Sequence, residues 1–270
     1  MMDACALIKY IRSFGINVNT KTKARGHFGF FIDGRIDISK NTPQEKFVPT
    51  LLHEFAHYVH SRYEDNVAKT GGSLNIIFKT EENLEEELFK LTTFIDENSK
   101  CEKLFKHKEL IKAEIKKLDS LIKSAYPDFK RSKQFKPFNK AIRGSNLKYL
   151  LKYDKVRIMP WFIFGKEEIL SIANLEQDFP KLKPEFVNYI RLKSLMRKQK
   201  RISNRISKRQ KYYKRPTELF ARFVEGLYIN EALVQEIAPK TYFLFFELLA
   251  KGYLNELKPI FSKDDIVTMV

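Results

Sequence analysis

Leu51-Leu52-His53-Glu54-Phe55-Ala56-His57-Tyr58 is the stretch on which the reading of this chain turns. On a helix, residues four apart lie one above the other. His53 and His57 therefore share a face, and both imidazoles can reach one metal ion at about 2.0–2.1 Å. Glu54 lies one position round from His53, beside such an ion rather than at it, where a carboxylate can take a proton from water. Five His and 22 Glu in 270 residues would give this H-E-x-x-H pattern in fewer than about one shuffled chain in a hundred, so chance is a poor account of it. An apolar helix also has little structural use for two stacked histidines, because buried polar groups need hydrogen-bond partners. The expectation is a zinc site with His53 and His57 as ligands and Glu54 as general base.

The flanking sequence supports a helix there. Residues 26–39, GHFGFFIDGRIDIS, read as a hairpin: the apolar-rich arms 27–32 and 35–39 flank Asp33-Gly34, a dipeptide suited to a type I′ turn. Thr42, Pro43 and Glu45 then form a capping-box pattern with Pro at the first helical position. Pro49 marks a kink or a second start. The helix continues through Leu51, Leu52, Phe55, Ala56 and Val59, a spacing that implies burial on most sides. Elsewhere, residues 3–14 read as a short amphipathic helix and 64–80, with Gly71-Gly72, as loop. Residues 81–125 are helical by pattern, 126–145 an irregular connector, and 147–180 carry an apolar patch around Trp161. Residues 185–212 form a basic helix, 216–230 a helix with Pro216 near its start, and 231–257 an aromatic-rich helical segment whose Tyr242, Phe243, Phe245 and Phe246 should pack on the core.

A catalytic zinc usually has three protein ligands and one open position. The leading third ligand is Glu218, in the first turn of a helix whose other face carries Leu219, Phe220, Phe223 and Leu227. Glu225 lies two turns on, on roughly the same face. A rival is the acidic run Glu81, Glu82, Glu85, Glu86 and Glu87, although such runs are usually solvated. His60 reads as a packing or supporting residue, and His27 and His107 carry no usable signal. Cys5 and Cys101 form no Cys-x-x-Cys pair, which leaves no thiolate zinc site and suggests reduced thiols.

Composition narrows the class further. The apolar fraction is 43%, with 23 Phe and 12 Tyr, which is ample for a core and argues against disorder. No apolar run approaches the ~20 residues that span a bilayer, and the N-terminus lacks the pattern of a signal peptide. A cytoplasmic location is expected. Net charge is +17, and residues 181–215 hold 14 Lys or Arg against the single acid Glu185. Such a segment reads as binding a polyanion such as nucleic acid, a membrane surface or a partner, or as a solvated face.

The segment from Gly34 to Tyr58 resembles the active-site half of zincin-type metallopeptidases, nearest to small bacterial and phage-associated ones. Residues 212–225, with Tyr212-Tyr213 ahead of Pro216-x-Glu218-x-Phe220-Ala221-Arg222, resemble a motif of gluzincin-like domains in large mobile-element proteins. The two motifs cover about 40 residues. The resemblance implies Glu218 as the third zinc ligand, and Tyr213 or Tyr212 as the group that stabilises an oxyanion. It departs from the gluzincin pattern four residues after Glu218, where Arg222 stands in place of an acid; Glu225 is the alternative. The implied fold is α+β and mostly helical, a zincin-like core with a small antiparallel sheet against the metal helix. Residues 1–100 and 211–270 would form the two halves of the core, with 101–210 a basic helical insertion. The implied activity is zinc-dependent hydrolysis of a protein or peptide, with strand Arg35–Ser39 as an edge for extended substrate. The alternatives are a nucleic-acid-binding protein with a structural or regulatory zincin core, and a zinc-stabilised domain without turnover.

Overall fold

The structure is a computed structural model and describes residues 3–23, 28–128, 135–159 and 167–261. It is mostly helical with two small sheets, an α+β arrangement. The chain divides into two compact units, residues 1–100 with 209–270, and residues 101–208.

The first unit opens with α1 (Ala4–Ser13), capped by the Asp3 carboxylate accepting from the Ala6 N–H at 2.7 Å. Three strands follow: β1 (Asn17–Thr22), β2 (Gly29–Ile32) and β3 (Arg35–Ser39). The expected hairpin is β2–β3, and its turn residues Asp33 and Gly34 have φ of 43° and 74°, as a type I′ turn requires. The sheet is mixed, however, and not antiparallel throughout, because β1 pairs in parallel with β3, Asn17 opposite Arg35. Residues 17–22 give little strand signal: only Val18 is buried among polar neighbours. With order β1-β3-β2, strand β3 is central and has both edges occupied. The exposed edge on the hairpin side therefore belongs to β2, which corrects the expectation of an edge at Arg35–Ser39.

Helix α2 (Gln44–Tyr63) runs unbroken through Pro49. The capping box does not form. Pro43 stands at the cap with no side-chain bond, and the Thr42 hydroxyl donates to the Phe28 carbonyl instead, tying the helix entry to the hairpin. Segment 64–80, expected as loop, contains α3 (Val67–Thr70) and α4 (Leu74–Phe78), the latter burying Leu74, Ile77 and Phe78. The helical pattern of 81–125 is interrupted: α5 (Glu85–Ile95) ends at Asp96, a 3-10 turn spans Glu97–Lys100, and α6 (Glu102–Ala125) begins after Cys101, whose φ is 53°.

In the second unit, α6 is followed by α7 (Phe135–Gly144), α8 (Leu147–Leu150), the antiparallel pair β4 (Lys155–Ile158) and β5 (Glu168–Ser171), α9 (Leu175–Asp178) and α10 (Pro184–Tyr213). Its core gathers Leu118, Ile122, Leu150, Leu170, Phe186 and Ile190. The patch expected around Trp161 lies outside the described residues. Residues 209–213 of α10 belong to the first unit, which continues with α11 (Pro216–Ile229), α12 (Glu231–Ile237), α13 (Pro239–Ala250) and α14 (Lys258–Phe261). Of the α13 aromatics, Phe245 is fully buried and Phe243 is exposed. No described helix is long and apolar enough to cross a membrane.

The core of the first unit joins α2, α4, α11 and α13 through Phe55, Phe78, Phe220, Phe223 and Phe245, all 0% exposed. Burying each such ring is worth about 1.5–3 kcal/mol. This packing fixes the phase of α11 against α2, and so decides which side chains the two helices turn towards each other.

Candidate metal centre

Helix α2 presents His53 and His57 one turn apart, with ring centroids separated by 5.0 Å. Helix α11 faces them. Pro216 stands at its start, where a fixed φ and a missing N–H are harmless. Phe220 and Phe223 both meet the ring of Phe78 edge-on. Held this way, α11 directs Glu218 in its first turn, and Glu225 two turns later, toward α2.

The Glu218 carboxylate bridges the two imidazoles. Its Oε2 lies 3.5 Å from His53 Nε2, and its Oε1 lies 3.4 Å from His57 Nε2. Both exceed the about 2.7–3.2 Å of a good hydrogen bond. Two ligand atoms each bound at about 2.0–2.1 Å in a tetrahedral zinc site lie roughly 3.4 Å apart. Ligand atoms of His53, His57 and Glu218 all fall within 4.8 Å of one another. Glu218 Oε2 is buried without a hydrogen-bond partner, a costly state for an anionic oxygen unless a cation meets it. Two imidazoles and a carboxylate fit zinc, and leave a position toward the cleft for a further ligand.

Behind the three residues runs a chain of charged contacts. His53 Nδ1 lies 3.1 Å from Glu225 Oε2. Arg222 Nη1 donates to that oxygen at 2.7 Å, and its Nη2 donates to Asp96 Oδ2 at 3.1 Å. Asp96 Oδ2 also accepts from the Tyr213 hydroxyl at 2.8 Å. A carboxylate on Nδ1 fixes a histidine tautomer and leaves Nε2 free to bind a metal. The acid that orients His53 is thus Glu225, and Arg222, four residues after Glu218, serves as that acid's counter-ion. We expect Glu225→Gln to weaken zinc binding about 10- to 100-fold with the fold intact, measured by competition with a chromogenic chelator. Unchanged affinity would remove this role.

The electrostatics of the cluster follow from burial and pairing. Burial and the Arg222 charge pull the His53 pKa down, but the neighbouring Glu218 and Glu225 carboxylates outweigh them and raise it to about 9. Burial opposes ionisation of Glu218, yet the two imidazoles hold its carboxyl far below the usual range. Burial pushes the Glu54 carboxyl up, and His53 and His57 draw it partly back. Metal binding would compete with protonation for the His53 Nε2 lone pair.

The site opens into a cleft of about 440 Å³ lined by Phe30, Phe31, Glu54, His57, Tyr212 and Glu218 among others. Strand β2 forms one wall. It crosses α2 so closely that a Cβ on Gly29 would lie 2.9 Å from Thr50 Cγ2 and 3.0 Å from Glu54 Cγ, so no larger residue fits there without movement. The two tyrosines expected as alternatives for an oxyanion group face different ways. Tyr213 is buried and turned to Asp96, whereas its neighbour Tyr212 lines the cleft, because adjacent helical residues point about 100° apart. Burial, then the Glu218 charge, push the Tyr212 phenol pKa up, so it stays protonated and able to donate.

The rival acidic run is engaged elsewhere. Glu82 pairs with Lys240 at 3.4 Å, Glu85 with Lys214 at 3.8 Å and Glu86 with Lys90 at 3.3 Å. Glu87 accepts from the backbone N–H and hydroxyl of Thr241 at the start of α13. His107 lies exposed on α6, and His27 is outside the described residues. Cys5 and Cys101 are free thiols.

His60 is fully buried, with Nε2 3.3 Å from Glu64 Oε2, which also accepts from the Ser73 N–H at 2.7 Å. Gly71 O accepts from the Thr217 N–H at 3.2 Å, one residue before Glu218. The Gly71–Gly72 turn is therefore clamped between α2 and α11. Gly72 has φ of 76°, and a Cβ there would lie 2.8 Å from two atoms of the His60 ring. Gly72→Ala should cost about 2 kcal/mol or more, combining left-handed strain and overpacking, read as a lowered urea midpoint. An unchanged midpoint would show that the turn does not brace α11. Sequence reading gave no hint of Asp96 or Glu64 and took Gly71-Gly72 only as the mark of a loop, because each acts through a partner distant in the chain or through backbone geometry.

Comparison with known proteins gives no match to any protein-family model, curated protein or solved structure.

Proposed function

We propose that the chain is a zinc-dependent peptidase with a zincin-like core of the gluzincin type. The observation that carries this reading is the convergence of His53 Nε2, His57 Nε2 and the Glu218 carboxylate at the foot of a cleft that also contains Glu54. A purely structural zinc site tends to be closed by four ligands and has no use for a buried carboxylate at its mouth.

In this reading His53, His57 and Glu218 would hold the ion, which when bound would supply Lewis acidity toward a water and a carbonyl. Glu54 accepts the proton of the attacking water and delivers it to the departing amine. Tyr212 donates to the oxyanion that forms at the carbonyl. Strand β2 offers its edge to an extended segment of substrate, whose backbone pairs with it while its side chains meet Phe30 and Phe31.

The test is cleavage of an unfolded, disulfide-free protein by the zinc-loaded chain, with new termini read by mass spectrometry. Cleavage should stop with a chelator and return with zinc. Cleavage that persists in chelator would sink the proposal.

A further inference from the structure

The charge of this protein is not spread over it. Residues 101–208 hold 28 Lys and Arg against 11 Asp and Glu, a net +17, while the rest of the chain holds 22 of each and is neutral. The whole net positive charge of the chain therefore falls on the second unit. Base composition or a general need for solubility would load both units alike, so the segregation asks for a partner specific to the second.

The surface that carries it is regular. Helix α10 is 30 residues long, about 45 Å at 1.5 Å per residue. Lys198, Arg201, Arg205 and Lys208 recur along it at steps of three and four, all exposed, which puts them on one stripe. Arg201 reaches Asp154, but Lys198, Arg205 and Lys208 have no acidic partner among the described residues. Helix α6 shares a small core with this part of α10 through Cys101, Ile111, Ile202 and Ile206. It adds Lys103, Lys106, Lys116 and Lys117, likewise exposed and without acidic partners among the described residues.

The apolar side of α10 decides against a membrane. A surface-seeking amphipathic helix keeps its apolar face free to enter lipid. Here Leu192, Ile202 and Ile206 are spent inside the second unit, at 9%, 7% and 4% exposure. Met196 is left outside, but the stripe through Lys198, Arg201, Arg205 and Lys208 is a row of cations, which suits the phosphates of a nucleic-acid backbone. We propose that the second unit is a sequence-independent nucleic-acid-binding module that contacts the phosphate backbone through Lys198, Arg205 and Lys208 of α10. This does not rest on the zinc reading, since none of these residues belongs to the metal centre.

The experiment is fluorescence anisotropy of the full chain with labelled 25-base-pair DNA and RNA duplexes of two unrelated sequences, at 50 and 200 mM salt. Neutralising three phosphates should lower affinity about 40-fold between those salts, equally for both sequences. The triple variant Lys198→Glu, Arg205→Glu, Lys208→Glu should abolish binding at 200 mM salt. A charge-matched control in the neutral unit, Lys9→Glu, Lys21→Glu, Lys40→Glu, should retain it within about threefold. The helical circular-dichroism signal of both variants, compared with wild type, confirms folding. The wild-type salt slope stands on its own if the α10 variant does not fold. No binding at 50 mM salt, a salt slope near zero, or equal loss in both variants would overturn the proposal. Association with anionic phospholipid vesicles but not with either duplex would also overturn it.

Discussion

Replacing Glu54 by Gln should leave zinc content at the wild-type level and lower peptide hydrolysis about 10²- to 10⁴-fold, the range that a positioned general base supplies. Glutamine keeps the shape of the side chain, which is 6% exposed and packed beneath Gly29, so the fold has no reason to change. The loss is one of proton transfer: an amide cannot accept the proton of water. Because burial opposes the charged form of Glu54 in the wild type, the neutral amide should stabilise the folded chain slightly or leave it unchanged. Loss of activity without loss of zinc or stability separates a role in chemistry from one in structure. Full activity in the variant would refute the assignment of Glu54 as base.

Glu218→Ala should weaken zinc retention more than 100-fold, beyond the effect of a residue that only supports a ligand. The carboxylate meets both imidazoles, and its removal leaves the two ligands on α2 without a third ligand from α11. Glu82→Ala and Glu85→Ala should keep their zinc, since those carboxylates face Lys240 and Lys214 at the surface. Equilibrium dialysis against a zinc buffer measures all three. If Glu218→Ala retains zinc as tightly as wild type, the third ligand lies elsewhere and the cluster has been misassigned.

What could be read from the sequence depended on distance along the chain. His53, Glu54 and His57 lie within about one helical turn, so their mutual geometry follows from helix parameters alone. Asp33-Gly34 was legible for the same reason, since a two-residue turn is a local matter. Glu218 stood out because an acid at the head of an otherwise apolar helix is exposed to a simple question about its partner. The support behind His53 was legible only in part: Glu225 stood as the alternative to an acid at position 222, but its partners did not show. Arg222 and Glu225 are three apart and look like an ordinary pair on a helix surface. Only the tertiary packing shows Glu225 on His53 and Arg222 reaching across to Asp96. The choice between Tyr212 and Tyr213 turned on helical phase, which packing sets. Strand β1 was missed because parallel pairing with β3 holds residues that show little alternation. The capping box failed because the Thr42 hydroxyl found a carbonyl in the hairpin, a competition between local and distant partners that a short motif cannot record.

The most direct test of the zinc assignment is X-ray absorption at the zinc edge on protein reconstituted with one equivalent of zinc and dialysed against buffer. The account predicts a retained ion with a nitrogen and oxygen shell at about 2.0–2.1 Å and the multiple-scattering signature of two imidazoles. A sulfur shell at about 2.3 Å, a single imidazole, or no retained zinc would contradict it.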